Sequence, residues 1–132
     1  MEVIRLRALA LVAVTAAVSF LAASCGGGGG NQNGSCGEAT VELIARDLSF
    51  DKEEITLTAV AETTVCLDNQ DQGLPHNLSI YEDDTAEKPI FQGDIIEAPD
   101  TIDYTFTAPD AGTYFFRCDV HPTQMTGTVI VE

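Results

Sequence analysis

Residues 112–125 read Gly112-Thr113-Tyr114-Phe115-Phe116-Arg117-Cys118-Asp119-Val120-His121-Pro122-Thr123-Gln124-Met125, and this stretch decides the fold. Its first half, residues 112–118, is rich in aromatic and β-branched side chains without helical spacing, and it reads as a strand. Residues 119–125 read as a connecting loop, and residues 126–131, Thr-Gly-Thr-Val-Ile-Val, as the returning strand. Side chains two apart on a strand share a face, so Tyr114, Phe116 and Cys118 are expected to point inward and Phe115 and Arg117 outward.

The same pattern extends upstream. Short runs at residues 40–46, 55–60, 63–67, 77–82, 90–96 and 102–107 either alternate with period two or consist of β-branched and aromatic residues. Turn-forming clusters separate them: Asp68-Asn69-Gln70-Asp71-Gln72-Gly73, Ala98-Pro99-Asp100 and Ala108-Pro109-Asp110-Ala111-Gly112. Nothing after residue 37 carries apolar residues at helical spacing over three turns. The expectation is an all-β domain over residues 38–132, a sandwich of seven to eight strands.

The N-terminal quarter lies outside that domain. Arg5 and Arg7 precede an apolar run at residues 8–21, and Ala22-Ala23-Ser24 supplies small residues for cleavage, so residues 1–24 read as a signal peptide. Cys25 follows at once, as in a bacterial lipobox, and is the expected lipidation site, with ordinary secretion as the alternative. Residues 25–37 then form a lipid-bearing, glycine-rich tether, too polar to bury a core and long enough to reach on the order of 20 Å. The chain is expected at the outer face of the cytoplasmic membrane.

The whole sequence carries a formal charge of −15, and loss of Glu2, Arg5 and Arg7 with the leader leaves it one unit more negative. Phosphate binding requires the opposite sign, so nucleic acid is excluded as a partner. The acidity suits a solvated surface or steering toward a cationic partner.

The loop places Cys118, His121 and Met125 within eight residues, and the one other histidine, His76, follows a polar turn and Pro75. Thiolate, imidazole and thioether together are the donors of a soft, redox-active copper ion. Taken singly, His76 reads as an ordinary surface or core histidine, Cys118 as a small buried hydrophobe and Met125 as core filling. Taken together, both histidines and the one methionine beyond Met1 converge on a single proposed site.

Pro75-His76-Asn77, followed by the 112–125 stretch, resembles the blue-copper cupredoxins, plastocyanin and amicyanin in particular, over essentially the whole folded domain. The resemblance implies a Greek-key sandwich and one copper ion alternating between Cu(I) and Cu(II) on His76, Cys118, His121 and Met125. It further implies that Asn77 ties the two ligand-bearing segments together, that the Pro75 carbonyl faces the copper, and that electrons pass at the edge of His121. One departure stands out: three residues separate His121 from Met125, where the family members compared have one more or one fewer. Arg117 also replaces an exposed aromatic that plastocyanins use as a second electron entry. Glu82-Asp83-Asp84 resembles an acidic docking patch, and equally reads as a charged strand end that resists aggregation.

Cys36 and Cys66 remain. In an exported chain such a pair reads as a disulfide, with two free thiols as the alternative. The expected function is a single-electron carrier serving an unidentified cytochrome or oxidase, as a monomer and not an enzyme. Copper delivery is the alternative, disfavoured by the lack of spare histidine and methionine. Copper oxidases and nitrite reductases need a second site with histidines this chain does not have.

Overall fold

The computed structural model describes residues 36–132. The leader, Cys25 and the tether up to residue 35 lie outside the described residues. Eleven strands follow in order: β1 (Val41–Arg46), β2 (Ser49–Phe50), β3 (Glu54–Leu57), β4 (Glu62–Asn69), β5 (Pro75–His76), β6 (Ser79–Tyr81), β7 (Pro89–Gln92), β8 (Ile96–Glu97), β9 (Asp100–Thr107), β10 (Gly112–Arg117) and β11 (Thr126–Val131). One sheet has the order β2-β1-β4-β9 and the other β3-β11-β10-β6-β7, while β5 and β8 form a small ribbon. The chain crosses repeatedly between the two sheets, giving the expected all-β, Greek-key sandwich, and no helix occurs among the described residues.

Every one of the eight expected segments contains a strand, and the three extra strands are two-residue pieces too short to leave a periodic signal. The differences at the ends have local causes. The run expected at 55–60 stops at Leu57 because Ala59 bonds to the Glu132 carbonyl and Val60 turns into the left-handed region at φ 54°. The run at 77–82 starts only at Ser79, and the run at 90–96 splits into β7 and β8 around Gly93. There the Gly93 amide donates to the Leu78 carbonyl, and a Cβ would sit 2.6 Å from both that oxygen and the Tyr104 ring.

Alternation along the strands builds the core. Leu43 and Ala45 on β1, Ile55 and Leu57 on β3, Val65 and Leu67 on β4, and Val129 and Val131 on β11 turn inward and are buried. Phe116 is fully buried between the sheets and packs against Phe50, ring centroids 5.5 Å apart. Burying each such side chain stabilises the fold by about 1.5–3 kcal/mol. Strand parity is as expected for Phe116 and Cys118, which are fully buried, and for Phe115 and Arg117, which keep partial exposure, while Tyr114 packs against the core but is only half-buried.

Cys66 lies between Val65 and Leu67 but faces away from them, and it is joined to Cys36 in a disulfide. The N-terminal segment therefore folds back over β4, where Thr40 donates its amide to the Thr64 carbonyl. The bridge spans 30 residues, and restricting a loop of that length in the unfolded chain is worth about 3–4 kcal/mol. Replacing both cysteines by serine is expected to lower the unfolding free energy by about 3 kcal/mol in denaturant titration of the metal-free domain, with little change in far-ultraviolet circular dichroism.

Candidate metal centre

Loops from both sheets meet at one end of the sandwich. The pairing of β6 with β10 sets Ser79 opposite Arg117 and Ile80 opposite Phe116, so the segments just outside that ladder, residues 76–78 and 118–119, lie side by side. This brings together residues 42 apart in the chain.

His76 is delivered by a well-specified turn. The Leu74 amide donates to the Asp71 carbonyl, and Gly73 supplies the positive φ of 76° that the third position of a type II turn requires. Asn69 supports this turn from the end of β4: its side-chain amide donates to the carbonyls of Leu74 (2.9 Å) and Ile96 (3.1 Å), and its oxygen accepts from the Asp71 amide.

Three donor atoms converge. The Nδ1 atoms of His76 and His121 are 3.1 Å apart, and the Cys118 Sγ lies 3.7 Å from the first and 3.9 Å from the second. A triangle with these sides has a point in its own plane about 2.1 Å from all three corners, which is the length of a bond from a first-row metal ion to nitrogen or sulfur. A trigonal His2Cys arrangement is the donor set of blue-copper centres. His76 and Cys118 are fully buried and His121 is half-buried. Among the described residues Cys118 is the one free cysteine.

Met125 is fully buried at the far end of the loop. Its amide donates to the His121 carbonyl at 3.1 Å, and its carbonyl accepts from the Cys118 amide at 2.9 Å. The unusual three-residue spacing is thus taken up by a single turn that returns Met125 to Cys118.

Asn77 bridges the two segments as the resemblance implies. Its Oδ1 accepts from the Asp119 amide at 2.8 Å, and its Nδ2 donates to the Gly93 carbonyl at 3.0 Å. Pro75 pairs with Glu97 in the β5–β8 ribbon, one residue before His76.

One buried and one half-buried carboxylate at the site were not singled out from the sequence. Asp71 accepts from His76 Nε2 at 2.8 Å and from the backbone amides of Asp47 and Leu48. Those amides belong to the tight β1–β2 turn, whose central residues both have positive φ, 55° and 56°, a conformation costly for leucine. Burial opposes the charge on Asp71, but the Leu48 amide, His76 and the Asp47 amide together hold its carboxyl below the usual range. Because Nε2 is engaged by Asp71, Nδ1 is the ring nitrogen that His76 turns toward the triangle. Asp119 likewise accepts from Ser79, Tyr81, Arg117 and Asn77, and against the opposing effect of burial these donors bring it down to about 2. Asp71 sits in a cluster that reads as a turn, and turn residues carry no mark of a second role.

Glu82, Asp83 and Asp84 are exposed and follow β6, six to eight residues after His76. Glu82 pairs with Lys88 at 2.9 Å and Asp83 accepts from the Thr85 amide, so both have local work in closing the β6–β7 hairpin.

A family model described as a cupredoxin-like domain matches residues 8–131. Auracyanin-A of Chloroflexus aurantiacus is 34% identical over 162 aligned residues, covering 98% of this chain and 99% of that protein. Among solved structures, the dithionite-reduced auracyanin of Roseiflexus castenholzii superposes with a TM-score of 0.64 at 24% identity, over 70% of this chain and 95% of its own. Auracyanin A of Chloroflexus aurantiacus, described as a "blue" copper protein, gives 0.62 at 24% identity over 69% and 96%. At these identities the two superpositions speak for the fold.

Asp71→Asn leaves one acceptor oxygen where three N–H groups converge. Metal affinity is expected to fall about 10–100-fold in competition titration against a chelator, the range typical for loss of a carboxylate behind a ligand histidine. Unchanged affinity would mean that packing alone orients His76.

Proposed function

Because the chain belongs to the cupredoxin-like family, we propose that it is a mononuclear blue copper protein that carries single electrons, with the ion held by His76, Cys118, His121 and Met125. The observation that carries this is the planar triangle of two imidazole nitrogens and one sulfur, whose centre is about 2.1 Å from each donor. Copper, when bound, supplies the one-electron couple.

The protein's part is to keep the donors where they are. His76, Cys118 and Met125 have no solvent exposure, and the first two are fixed by Asp71, by the bond from the Cys118 amide to Met125 and by the Asn77 bridge beside them. Donors that do not move between oxidation states leave little to rearrange when an electron passes. Burial also weighs against ready copper delivery, which needs ligands that a recipient can reach. Met125, buried at the end of the same loop, would add its thioether as a fourth donor, and Pro75, one residue before His76, would offer its carbonyl to the ion. His121, the donor with solvent contact, is the port through which the electron enters and leaves.

We place the protein outside the cytoplasm, tethered by a lipid on Cys25. The Cys36–Cys66 disulfide supports export, since such bonds persist in oxidising compartments. The partner is a membrane-bound cytochrome or oxidase.

The copper-loaded domain is expected to absorb strongly in the visible through sulfur-to-copper charge transfer, to bleach reversibly on one-electron reduction, and to lose the band in Cys118→Ser. A colourless copper-loaded wild type would overturn the assignment. For the anchor, Cys25→Ser is expected to move the protein from the membrane pellet to the soluble fraction of the expressing cell, and continued sedimentation with the membrane would exclude a lipid at that residue.

A further inference from the structure

We propose that Asp119 is a positioning residue whose negative charge, fixed beside the Cys118 end of β10, biases the copper couple toward the oxidised state while it locks that end to the His76 segment. The proposal rests on the copper assignment above.

Asp119 follows Cys118 directly, and its carboxylate is the meeting point of four side-chain donors. Ser79 Oγ reaches it at 2.6 Å, Tyr81 OH at 2.7 Å, Arg117 Nε at 2.9 Å and Asn77 Nδ2 at 3.2 Å. Its backbone amide donates to Asn77 Oδ1 at 2.8 Å. Three of these partners, Asn77, Ser79 and Tyr81, come from the chain that leads out of His76. One residue thus holds two ligand-bearing segments by both its backbone and its side chain.

The cluster lies on the outward face of its sheet, yet it is largely shielded from water. Tyr81 is 2% exposed because the Arg117 guanidinium lies over its ring, 4.8 Å from the centroid. Asp119 itself retains only 25% of its side-chain exposure. Removing a carboxylate from water is costly unless donors replace the solvent, and four donors are assembled here to do that. Joining two segments needs only a neutral hydroxyl or amide, which would carry no such cost. What a carboxylate adds is a field, and in a partly dry site that field is weakly screened. The oxidised centre carries one more positive charge than the reduced one, so a nearby anion stabilises it and lowers the reduction potential. Arg117 precedes Cys118 as Asp119 follows it, and its charge acts in the opposite sense.

The opposed charges give the test its sign. Voltammetry of the copper-loaded protein is expected to show Asp119→Asn favouring the reduced form by about tenfold, an upward shift of about 59 mV for a one-electron couple. Arg117→Gln is expected to shift the potential downward, although it weakens the same cluster. In the metal-free protein, Asp119→Asn is expected to lower the melting temperature and to speed hydrogen exchange at the residue 119 amide, which reports the lock without copper. Shifts of the same sign in both variants, or no shift in either, would mean that the cluster acts through structure alone and would overturn the proposal. Should Asp119→Asn fold poorly, Arg117→Gln decides by itself, since an unmoved or raised potential contradicts the field argument. A wild type without the visible band sinks the copper assignment and this proposal with it, whereas a normal band with unmoved potentials sinks this proposal alone.

Discussion

The register between β6 and β10 is the constraint on which the site depends. With Ile80 opposite Phe116 and Ser79 opposite Arg117, the chain leaving β10 reaches Cys118 just where the chain entering β6 carries His76. A slip of one residue would turn every side chain of the strand to the opposite face, sending Cys118 outward and Arg117 into the core. Phe116 guards against that slip. It is fully buried against Phe50, and a Cβ at Gly127, its cross-strand neighbour, would lie 2.3 Å from its ring. The glycine leaves room for the ring, and the seated ring fixes the strand.

Around this register the site is held by two anionic groups placed on different sides. Asp71 collects an imidazole N–H and two turn amides, and Asp119 collects two hydroxyls, a guanidinium and an amide. Each is a buried or half-buried carboxylate whose burial is offset by donors that have their own reason to be there. The β1–β2 turn needs a partner for its left-handed amides, and Arg117 needs one for its charge. The donors of the metal triangle are therefore not positioned by packing alone, and neither carboxylate is an isolated charge in the core.

Much of this was legible beforehand. The eight main strands announced themselves because a half-buried strand must alternate, and the four proposed copper ligands stood out because histidine and methionine are too rare here to coincide by accident. The disulfide was expected because an even pair of cysteines remained in a chain read as exported. What stayed hidden were the roles of residues whose types are common in turns and on surfaces. Asp71 stood in a run of turn formers, and Asp119, Ser79 and Tyr81 owe their function to a cross-strand register that no local window contains. The ribbon of β5 and β8 was equally invisible, since two residues cannot show a period. The spacing between His121 and Met125 looked like a defect in the pattern until the turn between them placed the Met125 carbonyl on the Cys118 amide.

Strand β4 connects these parts into one argument about how the protein is built. Its inward residues Val65 and Leu67 belong to the core, and its outward Cys66 receives the N-terminal segment through the disulfide. Its last residue, Asn69, holds the carbonyls of Leu74 and Ile96 on either side of His76. Three residues of strand, about 10 Å, separate the point of attachment from the base of the site. The first described residue, Cys36, is therefore fastened to the flank of a sheet rather than to the loop that carries His121.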